Sequence, residues 1–158
     1  MDVDHFRIHV VRDSLKAAGW WSQEIENLIL ATGVVESNLN MLVQVGGGPA
    51  RGVFQIEKIS FNDVISYIKR DSQKVKAICQ ACGFSALPED VNTVIWNLRF
   101  AVLITRMFYY RIPDALPTSE NALEAYRYYK NFYNSYHGAA TEEKCLPAFK
   151  KVYSYKES

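Results

Sequence analysis

A chain of 158 residues is long enough for one domain with its own core, and an apolar fraction of 49% argues against disorder. Eighteen basic residues stand against 17 acidic ones, a formal net charge of +1, so the basic excess of a nucleic-acid binder is missing. No stretch reaches the roughly 18 to 20 uninterrupted apolar residues of a membrane span; Asn92, Asn97, Arg99 and Arg106 interrupt the strongest candidate, residues 91–112.

In chain order, Phe6, Val10, Val11, Leu15 and Ala18 repeat at helical spacing and stop at Gly19, a residue suited to a left-handed C-terminal cap. Ser22 can cap a second helix, with Glu24 and Glu26 near its positive end. Its expected buried stripe is Ile25, Leu28, Ile29, Thr32 and Val35, which places Glu36 beside the stripe at the C-terminal end. Phe61, Val64, Ile65 and Ile68 mark a third helix; Val75, Ile78, Cys79 and Cys82 mark a fourth that closes at Gly83. Residues 91–110 are apolar on most sides and predict a long central helix. Pro113 and Pro117 end it. Ser119 is the expected cap of the next helix, with Leu123, Tyr126, Tyr129 and Tyr133 as its buried face. A last helix begins near Thr141 or Lys144, and Pro147 either kinks it or belongs to its first turn. At most, residues 41–45 and 53–56 form a short β ribbon around a glycine loop. The expectation is one all-α domain over residues 1–158.

Cysteine chemistry is not indicated. Cys79 and Cys82 form a lone CxxC, Cys145 stands apart, and His5, His9 and His137 do not fall at zinc-finger spacing. The CxxC closes a helical pattern instead of following a strand, so it reads as two reduced thiols with no metal or cofactor implied.

Residues 31–57, ATGVVESNLNMLVQVGGGPARGVFQIE, carry the clearest chemical signal. An acid, Glu36, ends an apolar helix; a glycine-rich loop (Gly46, Gly47, Gly48, Pro49, Gly52) follows; then an apolar turn brings Gln55 and Glu57. Breaking a glycosidic bond near neutral pH needs a proton for the leaving oxygen. A solvated glutamate, with a pKa of about 4.3, is mostly ionised there. Apolar neighbours keep the proton on, and Val34, Val35, Leu39 and Met41 could supply such a wall. The bland alternative is an exposed glutamate at a helix end.

The segments GVVESNLN and ARGVFQIE together resemble the lysozyme-like superfamily, in particular soluble lytic transglycosylases and goose-type lysozymes. Those carry a catalytic Glu-Ser pair, a loop, and a Gly-(Leu/Val)-Met-Gln-(Ile/Val) turn. Here the pair is Glu36-Ser37 and the turn is Gly52-Val53-Phe54-Gln55-Ile56, with Phe54 in place of the usual Met. The similarity extends to AYRYYKNFYN (residues 125–134), where Arg127 stands in place of the family's Asn, and residues 134–149 resemble the ends of small phage cell-wall-degrading proteins.

The resemblance implies a lysozyme-like fold and a muramidase that cleaves the β-1,4 bond between MurNAc and GlcNAc in peptidoglycan. Glu36 would be the general acid. Ser37 and Gln55 would orient the substrate or the acid, Gly52 would join them in binding the substrate, and a tyrosine of the late helix, Tyr133 or Tyr126, would hydrogen-bond the carboxylate. The glycines at 46 to 48 would let backbone amides approach N-acetyl groups. Glu57 leaves two mechanisms open. An inverting hydrolase needs a second carboxylate, roughly 6.5–9.5 Å from the acid, to activate water; a lytic transglycosylase uses the sugar's own 6-hydroxyl. An acid directly after Gln55-Ile56 tilts the expectation toward hydrolysis. The N-terminus MDVDHFRIHVVRD is charged and amphipathic, unlike a secretory signal, so a phage virion or holin-dependent lysis is the expected route to the wall. The expected partners are peptidoglycan strands and other virion proteins. The alternative from another class is a catalytically silent lysozyme-fold protein of a phage particle.

Overall fold

The computed structural model describes residues 1–40, 42–134 and 140–157, and nearly all their regular structure is helical. The first run consists of α1 (Val3–Phe6), a π-helical stretch (Arg7–Arg12) and α2 (Asp13–Ala18). Asp2 caps it by accepting the His5 N–H at 2.8 Å, and Gly19 ends it at φ 77°, where the absence of a Cβ removes the cost. The π stretch departs from the plain α-helix expected. It coincides with Arg7, whose side chain is fully buried.

Helix α3 (Gln23–Ser37) starts at Ser22, whose hydroxyl accepts the Ile25 N–H at 3.3 Å. It is enclosed on nearly every side from Ile25 to Gly33, not along the single stripe expected. That enclosure takes Glu26 and Asn27 inside as well. Arg7 meets them there, donating to Glu26 at 2.9 Å, to Asn27 at 2.6 Å and to the Val152 carbonyl at 2.6 Å. Arg12, Trp21 and Gln23 add donors to Glu26. Burial alone would push the Glu26 carboxyl up; the hydrogen bonds from Arg12, Trp21, Arg7 and Gln23 outweigh it and hold the group below the usual range.

Helices α4 (Lys58–Lys69), α5 (Ser72–Cys82), α6 (Thr93–Trp96) and α7 (Leu98–Tyr110) follow. The single helix expected over residues 91–110 is broken at Asn97, which is extended (φ −111°, ψ 95°) and accepts the Phe100 N–H at 2.9 Å. Asparagine favours such caps over helix interiors because its side chain competes for backbone partners. Phe61 meets Phe100 edge-on near the N-terminal ends of α4 and α7. Near their C-terminal ends Tyr67 and Tyr110 share Lys74. The two helices therefore run side by side in the same direction.

Helix α8 (Ala122–Phe132) is capped by Asn121, which accepts the Glu124 N–H at 3.0 Å, and not by Ser119. The Ser119 carbonyl instead accepts from Asn27 at 3.1 Å. Ala125, Tyr126, Tyr128 and Tyr129 form the buried face, while Leu123 and Tyr133 are half-buried. Helix α9 (Glu142–Tyr153) begins at Thr141, whose hydroxyl accepts the Lys144 N–H at 3.3 Å. Pro147 lies inside it, beyond the first turn. Among the described residues the expected ribbon reduces to isolated bridges, Val43 to Arg51 and Arg51 to Ile56; Met41 and His137 lie outside the described residues. The three cysteines are free, and burial pushes the Cys82 thiol up to about 11, which keeps it protonated at neutral pH. Buried apolar residues from α1 to α9 join in one core.

Candidate active site

Glu36 is the last residue but one of α3. The helix stops because Asn38 and Leu39 both take left-handed conformations, at φ 51° and 57°. Leu39 then folds back beneath the helix. A Cβ on Gly33 would stand 2.9 Å from Leu39 Cδ2 and 3.0 Å from Phe54 Cε1, so any larger residue would have to push these side chains aside. Ser37 is 1% exposed and its Oγ donates to the Val53 carbonyl at 2.6 Å. These contacts fasten the end of α3 to the turn at residues 52–56.

The turn itself is tight. Arg51 and Ile56 exchange backbone hydrogen bonds of 2.9 and 2.8 Å across it. Gly52 has φ 73°, and a Cβ there would stand 2.8 Å from the Val94 carbonyl oxygen. Gln55 is held left-handed at φ 49°, and both its N–H and its Nε2 donate to the Gly52 carbonyl. Glu57 follows as the extended residue that starts α4.

A cleft of about 1050 Å³ opens beside these residues. Glu36, Gln55, Ile56 and Glu57 line it, together with the α4 face through Asp63 and Tyr67 to Arg70. Thr105, Phe108 and Arg111 line it from α7, and Asn131, Phe132 and Tyr133 from the end of α8. Behind Glu36, Tyr129 Oη donates to Oε2 at 2.9 Å. Burial first, and then the Glu36 charge, hold the Tyr129 hydroxyl far above the ordinary phenol value, so it remains a donor. Tyr133 stacks between Tyr109 and Tyr129 and donates to the Phe54 carbonyl at 2.5 Å. Tyr109 in turn shares a 2.7 Å hydrogen bond with Thr32. The tyrosine stack thus ties α3, α7, α8 and the 52–56 turn together around one carboxyl group.

Comparison with protein-family models, curated proteins and solved structures gives no match.

Of the residues selected from sequence, the cleft brings together Glu36, Glu57, Gln55 and Tyr133. Ser37 and Gly52 are buried, and neither is among the lining residues: one clamps α3 to the turn and the other makes the turn possible. Tyr126 packs edge-on against Phe149. Tyr129, not Tyr133 or Tyr126, makes the hydrogen bond to the Glu36 carboxylate. Gly46, Gly47 and Gly48 do not line the cleft; their loop is tied locally by Gln44, which accepts the Ala50 and Gly47 N–H groups. The expected dry wall is only partly present, with Leu39 buried and Val34 and Val35 half-buried. Asp63, Arg70, Phe108, Arg111 and Phe132 were not anticipated. Period-3 and period-4 spacing from Glu57 along α4 (Ser60, Asp63, Tyr67, Arg70) could have found that wall.

Proposed function

We propose that the chain is a lysozyme-like glycosidase that cuts peptidoglycan between MurNAc and GlcNAc. The observation that carries this is the half-buried Glu36, hydrogen-bonded by Tyr129 on the wall of a long open cleft that Glu57 also lines. A glycan strand lying in the cleft would bring a glycosidic oxygen to Glu36, which donates its proton as the bond breaks. Gln55 offers an amide at the same place, and Phe108 and Phe132 offer apolar surface to sugar rings. Two further features support the family resemblance. The Glu36-Ser37 and Gly52–Ile56 motifs are in direct contact, through Ser37 and Val53 and through Gly33 and Phe54. A tyrosine from the late helix reaches the acid.

Glu57 on the cleft favours hydrolysis, with Glu57 as the base that activates water. Lytic transglycosylation, in which the 6-hydroxyl attacks and leaves a 1,6-anhydro end, is the competing outcome. Substrate and setting follow from the same resemblance: bacterial wall, reached from a phage particle or from within a lysing host. Zymography on purified peptidoglycan tests the proposal against a silent structural protein of the same fold. A cleared band from the wild-type chain is expected, and an uncleared gel at all pH values from 4 to 8 (roughly the range in which a glutamic acid can hold its proton) would leave the silent reading standing.

A further inference from the structure

The cleft is not uniform in charge. Glu36 and Glu57 line it near the start of α4, and the α4 face ends at Arg70, about 20 Å further on at 1.5 Å per residue. The parallel face of α7 ends in the same way, at Arg111. Both arginines occupy the position that closes their helix, both are exposed, and both line the cleft. Among the described residues neither joins an ion pair, whereas the neighbouring Lys69 and Lys74 pair with Glu89 and Asp71. The Arg111 guanidinium stands over the Phe108 ring, 4.7 Å from its centre, a cation–π contact that favours its place on the cleft wall. Behind them Arg106 stands over Tyr110 with its buried Nε lacking a partner among the described residues. The opposing acid, Asp63, lies about 10 Å back along α4.

A planar, permanently charged fork is suited to a carboxylate. A neutral sugar strand can accept from their N–H groups but leaves both charges unmatched. We propose that Arg70 and Arg111 form a subsite for a carboxylate borne by the muramyl substituent of the bound strand; this assignment rests on the glycosidase function proposed above. The carboxylate has two sources: the lactyl group of a strand stripped of peptide, or the stem peptide of an intact one. The cleft would thereby select muramyl-bearing strands over neutral polymers of N-acetylglucosamine.

Steady-state cleavage by the full chain tests this with four substrates: intact peptidoglycan strands, amidase-stripped strands, and each of these after its carboxyl groups are converted to amides. The double variant Arg70→Gln/Arg111→Gln should raise KM about 5- to 10-fold on the carboxylate-bearing strand, since exposed ion pairs are individually weak and a tenfold change is one decade of affinity. kcat should move little, because neither arginine touches the bond being cut. The gap between wild type and variant should close on the amidated strands, and Arg70→Lys/Arg111→Lys should restore part of it. Whether the gap is seen with stripped strands or only with intact ones identifies the carboxylate. An equal KM for wild type and double variant on both unmodified strands overturns the subsite while leaving the glycosidase intact. Absence of cleavage of any strand by the wild type overturns the proposed function instead.

Discussion

Tyr126, Tyr129 and Tyr133 share one face of a helix, yet they do three different things. Tyr126 packs on Phe149, Tyr129 holds Glu36, and Tyr133 holds the Phe54 carbonyl. Their spacing shows that all three face the same way, but not which one reaches the acid. That choice depends on axial offsets of about 4.5 and 6 Å, and these are set by where α3 ends. Tyr129→Phe keeps the ring and removes the bond, and should lower kcat/KM on purified peptidoglycan by about 1.5–3 kcal/mol, the range for hydrogen bonds to charged groups. Tyr126→Phe should be close to silent; an equal loss in both would contradict the assignment of Tyr129. The Tyr129 hydroxyl stays protonated beyond the ordinary phenol value of about 10. Any alkaline loss of activity below that pH therefore comes from a group other than Tyr129, and Tyr129→Phe should retain it. A pH-rate profile of the variant without that limb would show that the phenol was titrating. Gly52 is a separate case, because both its φ and the nearby Val94 carbonyl exclude a side chain. Gly52→Ala should cost more than about 1 kcal/mol of stability in a urea melt.

Helix ends were legible wherever one residue type had no competitor. Gly19, Gly83 and Ser22 all stand where their chemistry predicts, and of the two starts offered for the last helix Thr141 is the cap. Asn97 was not legible, because an asparagine inside an apolar run is tolerated in a helix until a particular Phe100 N–H needs a partner. Ser119 and Asn121 were both good caps two residues apart, and the tertiary bond from Asn27 to the Ser119 carbonyl accompanies the choice of the second. The clamp on α3 was equally hidden. Nothing in the sequence singles out Arg7, and Glu26 shows only as a charge near the positive end of α3, yet both are fully buried and join the first helical run to α3 and α9. Removing one partner of a buried pair typically costs about 3–5 kcal/mol, so Glu26→Gln should lower stability on that scale. The sign of its pH dependence follows from the depressed folded value. The contribution is full above the ordinary carboxylate pKa of about 4.3 and fades as pH falls through the lower folded one. Thermal melts of wild type and Glu26→Gln should converge in strong acid; a constant gap from pH 7 to 2 would contradict a charged Glu26 in the folded state.

At the scale of the molecule, four stretches of chain among the described residues meet on one cleft: the end of α3, the 52–56 turn together with α4, α7 with its C-terminal end, and the end of α8. The sequence motifs pointed to Glu36 and the Gln55 turn, because both fall in the one stretch of residues 31–57. The arginine end and the aromatic wall came from helices whose relative direction no local pattern encodes. Glu57 decides the chemistry proposed there. If it activates water, the cleaved ends are reducing MurNAc and Glu57→Gln loses most activity. If the 6-hydroxyl attacks, the ends are lighter by about 18 Da, one water, and Glu57→Gln changes little. The central claim, that Glu36 is the acid of a peptidoglycan glycosidase, is tested most directly by mass spectrometry of the soluble fragments released from purified peptidoglycan by wild type and by Glu36→Gln, with both proteins shown to melt alike. The account predicts disaccharide-peptide fragments from the wild type and a rate about 10²- to 10⁴-fold lower from the variant, the usual worth of general acid catalysis. Release by Glu36→Gln within a few-fold of wild type would contradict it.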